Sequence, residues 1–181
     1  TAGAAPSLAW HTIIRFTNTL IPQAVHSVKV SFGSENFVVV GSFNGDAVFN
    51  LVGGGTTSLF SNAGSFDLFV TRLNPFGSST AQIRLGGSGT DQAMDVTFQA
   101  VDDWIHVGGS FTGTVDFDPG AGVHNETSAG TGSDGFIATF DENDLSLVAV
   151  SALHCPSNAV VNAVEWTLSH PRFTVGMGLE I

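Results

Sequence analysis

Apolar residues recur at every second position in several stretches of the chain. Val28 and Val30 flank Lys29, Val96 and Phe98 flank Thr97, and Ile105 and Val107 flank His106, while Phe37 and Val39 repeat the same spacing. Period-two alternation is the mark of a strand with one face buried. No stretch shows a sustained i, i+3, i+4 pattern with caps, so the pattern predicts an almost pure β protein. The clearest stretch predicts four strands, over Ala93–Ala100, Trp104–Phe117 (bent or split near Gly113), Gly135–Phe140 and Leu145–Leu153. Between them lie Asp102-Asp103, Asp118-Pro119-Gly120 and Asp141–Asp144, and Asp-Pro-Gly places its residues where a tight turn wants them. On this pattern His106 faces away from Ile105 and Val107 and is expected to be partly exposed.

The strands belong to a repeat. Val28, Val96 and Val164 are spaced by 68 residues, as are Val30, Phe98 and Trp166, and Phe37, Ile105 and Phe173, and Val39, Val107 and Val175. Ser42-Phe43 returns as Ser110-Phe111, Gly45 as Gly113 and Phe49 as Phe117; later the spacing slips to 67, with Asp67 and Phe69 matching Asp134 and Phe136. A slip of one belongs in a loop. The spacing divides a single all-β domain, 1–181, into repeats 13–80, 81–148 and a shortened 149–181.

The central copy carries Gly86-Gly-Ser-Gly-Thr-Asp91, Trp104-Ile-His-Val-Gly-Gly-Ser-Phe-Thr-Gly-Thr-Val-Asp-Phe-Asp-Pro-Gly120 and Ser133-Asp-Gly-Phe-Ile-Ala-Thr-Phe-Asp141. These segments resemble the bacterial β-propeller repeat (SBBP type). The first copy matches more loosely through Val40-Gly-Ser-Phe-Asn-Gly45, and the third has Met177 where the others carry Gly. The resemblance implies antiparallel, blade-like, four-stranded units in a secreted or surface protein. It brings no catalytic signature. Closed propellers take roughly 4–8 blades, whereas 181 residues hold about 2.7 units of this length. A two-sheet β-sandwich completed by an exchanged strand is the alternative architecture.

The two ends are out of phase with the repeat. Ile14-Arg15-Phe16 corresponds to Ile83-Arg84-Leu85, the close of a unit, so the chain opens on a closing strand and stops partway through a later unit. It also begins at Thr1 rather than Met, as a processed, trimmed or partial chain would. An unfinished unit leaves unpaired backbone groups along an edge. The expectation is that an arm over 1–16, with Trp10, Ile13, Ile14 and Phe16 as its assembly strand, completes a unit in the same or a neighbouring chain. The acceptor edge would carry Trp166, Phe173 and Val175.

Composition narrows the partners. Five Lys and Arg stand against 16 Asp and Glu, a net charge of −11, which repels phosphate backbones and anionic lipid. Nucleic acid is therefore not an expected partner. No apolar run reaches the ~18 residues of a membrane span. The lone Cys155 excludes an internal disulfide and a multi-cysteine metal site. Low Lys with abundant Gly, Thr, Ser and Asp fits a bacterial protein that is secreted or held at the cell surface.

Chemistry is sparse. The six histidines include no H-E-x-x-H, and His154-Cys155 lacks the surroundings of an activated nucleophile. Asp141-Glu-Asn-Asp144 continues with Leu145, which breaks an EF-type calcium loop. Asp116 and Asp118 read as turn residues. The Gly-rich runs Gly53–Gly55 and Gly86–Gly89 precede no helix and read as turns rather than phosphate cradles. No catalytic, cofactor-binding or metal-ligating residues are assigned. Asn125-Glu-Thr127 is a glycosylation sequon expected on a loop, and Trp104 is the candidate for stacking on a ligand. The expected role is a noncatalytic extracellular structural subunit that joins copies of itself into a fibre, a pilus-like filament or a homo-oligomer. A cell-surface propeller fragment that binds glycan or protein is the alternative.

Overall fold

A computed structural model describes residues 14–18, 20–21, 23–31, 35–62 and 64–166, together with the backbone of 167 and 172–180. The strands in chain order are β1 (Arg15–Phe16), β2 (Ala24–Val30), β3 (Phe37–Phe43), β4 (Asp46–Asn50), β5 (Thr56–Phe60), β6 (Asp67–Leu73), β7 (Ser79–Leu85) and β8 (Gln92–Gln99). They continue as β9 (Trp104–Phe111), β10 (Thr114–Asp116), β11 (Asn125–Thr127), β12 (Asp134–Asp141), β13 (Leu147–Leu153), β14 (Asn158–Thr167) and β15 (Arg172–Glu180). No helix occurs among the described residues.

Two antiparallel four-stranded sheets, ordered β2-β3-β6-β7 and β8-β9-β12-β13, form two successive units, and β14-β15 opens a third. None closes into a barrel. Each unit carries an outlying piece between its second and third strands. In the first this is the pair β4-β5, to which β1 from ahead of the unit adds a third strand in the order β1-β4-β5, and in the second it is the ribbon β10-β11. The predicted strand over Trp104–Phe117 is thus split around Gly113, into β9 and β10. The expected repeat boundaries at 80/81 and 148/149 fall inside β7 and β13, and the sheets divide the chain in the loops that follow those strands.

The repeat is visible in fine structure. The register shifts once in each first strand, between Val25 and Ser27, between Ala93 and Asp95, and between Val161 and Ala163. The extra residues are His26, Met94 and Asn162, again 68 apart. A bulge pushes the neighbouring carbonyl toward the partner strand. A Cβ on Gly109 would lie 1.9 Å from the Gln92 carbonyl oxygen and 2.7 Å from the Phe136 ring, and one on Gly41 would meet Ala24 and Phe69 in the same way. Glycine is therefore the residue that fits beside the bulges of the first two units, whereas the third carries Met177 opposite Val161 at its own bulge.

Two cores result. Between the first two sheets, Val38, Val40, Leu68, Val70 and Leu85 meet Val96, Ile105, Val107 and an aromatic trio of Phe111, Phe117 and Phe136. The trio packs with centroids 5.0 to 6.3 Å apart. On the far face of the first sheet, Phe43, Phe49 and Phe69 repeat that trio, joined by Ile14 and Phe16. Each buried Phe contributes about 1.5–3 kcal/mol, so this repeated trio is a main reason that each outlying piece stays folded against its sheet.

Two expectations are corrected. His106 is 1% exposed rather than partly exposed. Val28 and Val30, expected on a buried face, are exposed. The cause is shared: units stack on both faces of a sheet, so the side opposite an apolar pair need not be the solvent side. The second sheet has the first unit on one face and β14 on the other. The first sheet shows β2 no such neighbour among the described residues.

Candidate functional site

The first strands of the three units, β2, β8 and β14, lie along one seam, where adjacent units are tied through side chains. Ser27 Oγ donates to Asp95 Oδ1 at 2.6 Å, and the Val164 amide donates to the other oxygen, Oδ2, at 3.0 Å. One half-buried carboxylate thereby holds all three strands. The bulge turns the His26 ring toward β8, where Nδ1–H donates to the Ala93 carbonyl at 2.6 Å. Two clefts flank the seam. One, of about 370 Å³, lies between the second and third units and is lined by uncharged groups including Thr90, Gln92, Ser110, Asn158 and Asn162. The other, of about 490 Å³, is lined by Lys29, Asp95, Phe98, Glu165 and Trp166.

Deeper carboxylates act as staples. The Asp91 amide donates to the Phe66 carbonyl at 2.8 Å, and the equivalent Ala159 amide donates to Ser133 at 2.8 Å, so one backbone link joins units one and two and recurs between two and three. The Asp91 side chain accepts from the amides of Gly87 at 2.8 Å and Thr112 at 3.2 Å. Its counterpart Gln23 accepts from the amide of Asn44, the counterpart of Thr112, at 2.5 Å. Burial pushes the Asp91 carboxyl up to about 6, against the pull of those two amides.

Asp67 and Asp134 also share one task. Asp67 accepts from the Asn62 amide at 2.9 Å and from Arg84 at 2.5 Å. Asp134 accepts from the Ala129 amide at 2.7 Å, the Cys155 amide at 3.0 Å and the His154 ring at 2.5 Å. Burial works to raise the Asp134 carboxyl, but these donors outweigh it and hold the group below the usual carboxylate range. Glu142 accepts from Ser31 Oγ at 3.0 Å, and Arg72 donates to the carbonyls of Glu142 and Asn143 at 2.9 Å each.

His106 is held on both sides. Nε2–H donates to Gln99 Oε1 at 3.0 Å, and Nδ1 accepts from the Thr139 hydroxyl at 2.8 Å. Gln99 Oε1 can only accept, since its amide nitrogen is directed at Asp102, and this fixes the neutral tautomer. The ring stacks on Trp166 at 5.7 Å and 25°. Burial depresses its pKa to about 4.

No nucleophile is assembled among the described residues. His154 is turned to Asp134, and Cys155 Sγ has Ser157 Oγ at 3.6 Å. No group of three His, Cys, Asp or Glu able to hold a metal occurs among them. No helix among them is long and apolar enough to cross a membrane.

The proposed assembly residues divide. Ile14 and Phe16 lie in the core on the first sheet, and Arg15–Phe16 pairs with Val48 and Ala47 of the same chain. Trp10 and Ile13 lie outside the described residues. On the proposed acceptor edge, Trp166 pairs with Phe173 and Val164 with Val175 in one hairpin, and Trp166 is half-buried against His106. Asn125 is exposed, but it begins β11 rather than lying on a loop. Trp104 is half-buried at the start of β9, opposite Gln99 and Asp141, and does not line either seam cleft. Sequence reasoning missed Asp95 and the bulge residues His26, Met94 and Asn162. The available signal was their spacing of 68, hidden because no two of them share a residue type. No protein-family model matches this chain, and no curated protein matches it.

Proposed function

We propose that the protein is a noncatalytic structural subunit of blade-like, propeller-type units that associates with copies of itself by completing units at their edges. The position of β1 carries this reading. Phe16 packs on Phe69 at 6.1 Å, as Leu85 packs in the core that contains Phe136. Phe69 and Phe136 are repeat equivalents, and Phe16 and Leu85 are the corresponding ends of Ile14-Arg15-Phe16 and Ile83-Arg84-Leu85. The opening segment thus lies on the first unit as the closing strand of one unit lies on the next. In this reading β1, lying against the first unit in the manner of a closing strand, completes the open edge of a unit in another copy. An exported, surface-held location fits the acidic, Lys-poor composition.

Electron microscopy and a solution mass test the reading. Assemblies larger than one chain are expected, with loss of assembly or of folding when residues 1–16 are deleted. A monodisperse single chain at high concentration, or a deleted chain that assembles normally, contradicts it.

A second reading, recognition of glycan, is favoured by the 370 Å³ cleft, whose hydroxyl and amide lining suits an uncharged polyhydroxylated ligand. Discrete monomers that bind on a glycan array would support it over the first.

A further inference from the structure

The two junctions between units share one backbone link but are filled differently. At the first, the bulge residue His26 reaches across to the Ala93 carbonyl at 2.6 Å, and the link runs from the Asp91 amide to the Phe66 carbonyl. At the second, the equivalents of His26, Phe66 and Asp91 are Met94, Ser133 and Ala159. Met94 has no hydrogen to donate, and Ser133 and Ala159 are smaller than their counterparts. All three line the cleft of about 370 Å³.

One hydroxyl registers the difference. Ser42 of β3 is 1% exposed, whereas its equivalent in β9, Ser110, is 7% exposed and lines the cleft. Ser110 makes no hydrogen bond among the described residues. A hydroxyl more than nine-tenths buried and without a protein partner takes its partner from whatever fills the space beside it.

Three carboxamides line the same space. Gln92 opens β8, Asn158 opens β14, and Asn162 is the extra residue at the β14 bulge, the device that re-aims a side chain. Gln92 and Asn162 also make no hydrogen bond among the described residues. Asn158 spends its oxygen on the Ser133 amide at 3.0 Å and keeps its amide nitrogen for another acceptor. A carboxamide both donates and accepts, as adjacent sugar hydroxyls do. Met94 and Val160 add an apolar patch on which the C–H face of a sugar ring can lie. No charged side chain lines the cleft, and the net charge of −11 opposes an anion. Its volume is at the small end of ligand sites, roughly 300–1,000 Å³, which suits a short saccharide or the end of a longer one.

We propose that the cleft between the second and third units binds a neutral saccharide, with Ser110, Gln92 and Asn162 bonding its hydroxyls and Met94 beneath its ring. This rests on the glycan-recognition reading above and deepens it, by fixing the charge class of the ligand and the residues that hold it. Ser110, Gln92 and Met94 come from the second unit and Asn162 from the third, so the bound sugar ties the second junction as His26 ties the first.

The test starts from a printed array of neutral hexose, deoxyhexose and N-acetylhexosamine oligosaccharides beside others that carry uronic or sialic acid. The protein is expected to bind neutral members and no acidic ones. Calorimetry on the strongest neutral binder then compares variants. Ser110→Ala and Asn162→Ala should each weaken binding about threefold to tenfold with unchanged urea midpoints, since neither side chain bonds within the protein. Ser133→Phe, which installs the residue of the first junction, should abolish binding. Failure to bind any glycan overturns both this proposal and the glycan reading. Binding to acidic members alone, or binding indifferent to all three variants, overturns this site and leaves the glycan reading standing. Lower urea midpoints in both alanine variants would assign the two side chains to the fold and overturn their role as ligand contacts.

Discussion

Ser27 and Asp95 occupy adjacent first strands, 68 residues apart in the chain, and their side chains meet at 2.6 Å. Equivalent positions of consecutive units thus touch one another, and the third equivalent, Ala163, precedes the Val164 amide that takes the other Asp95 oxygen. Asp95→Ala removes the tie on both sides. Hydrogen bonds to a charged group are worth about 1.5–3 kcal/mol each, and solvent reaching this half-buried carboxylate lowers the total, so a loss of about 2–3 kcal/mol is expected. Urea unfolding measures it. Ser27→Ala should cost about 1 kcal/mol, and the double variant should cost less than the sum of the two. Unchanged unfolding midpoints would show that the seam is held by something else.

His106 should make the protein less stable in mild acid. Its folded pKa of about 4 lies below the ordinary 6.5, so between those values the unfolded chain binds the proton more readily. The contribution of His106 is full above pH 6.5 and is lost as the pH falls toward 4. His106→Gln should be destabilised at pH 7 by about 1–3 kcal/mol, through the lost stack on Trp166 and an imperfect match to Thr139 and Gln99. That deficit should shrink as the pH falls. Thermal melting of both proteins from pH 7.5 to 4.5 checks the trend; a constant or growing gap would argue against a neutral buried imidazole.

Asp91 should act in the opposite direction over nearly the same range. Its folded value of about 6 lies above the ordinary 3.8, so the folded chain binds the proton more readily between them. This contribution rises as the pH falls from 6 toward 4. A shift of that size corresponds to something on the order of 3 kcal/mol when complete. Asp91→Asn has no such titration, and its amide group places a donor against the Gly87 or the Thr112 amide. The advantage of the wild type over Asp91→Asn should therefore widen as the pH falls. In the wild type the two groups partly cancel, and only the single variants reveal the slopes.

What the sequence made legible follows from where one neighbour suffices to decide a structure. The strands over Gln92–Gln99, Trp104–Phe111 and Asp134–Asp141 stand within one or two residues of the alternation that predicts them, because alternation reports a pleat. Burial was less legible. His106 looked solvent-facing because Ile105 and Val107 flank it, yet the next unit covers its side, and Val28 looked buried by the same logic, yet no described unit covers it. In a stack of sheets, exposure depends on which units are present rather than on the local pattern. The bulges at His26, Met94 and Asn162 escaped notice for a different reason: a bulge is imposed by backbone register and leaves the side chain free to vary.

Gly109 and Gly113 lie four residues apart and should fail for different reasons when substituted. Gly109 has ordinary backbone angles but no room, since a Cβ would fall 1.9 Å from the Gln92 carbonyl oxygen and 2.7 Å from the Phe136 ring. Gly113 has open space around its Cα but a φ of +74°, where L-residues are strained. Gly109→Ala must displace either the bulge of β8 or the phenylalanine trio, and a loss of about 3 kcal/mol or more is expected. Gly113→Ala should cost about 1–2 kcal/mol. Asparagine separates the two causes because it tolerates the left-handed region but adds bulk. Gly113→Asn should recover part of the loss seen with alanine, whereas Gly109→Asn should be at least as damaging as Gly109→Ala. Equal costs for the two alanine variants in denaturant unfolding would contradict the steric role of the bulge, and with it the reason that Gly41 and Gly109 recur at the repeat spacing.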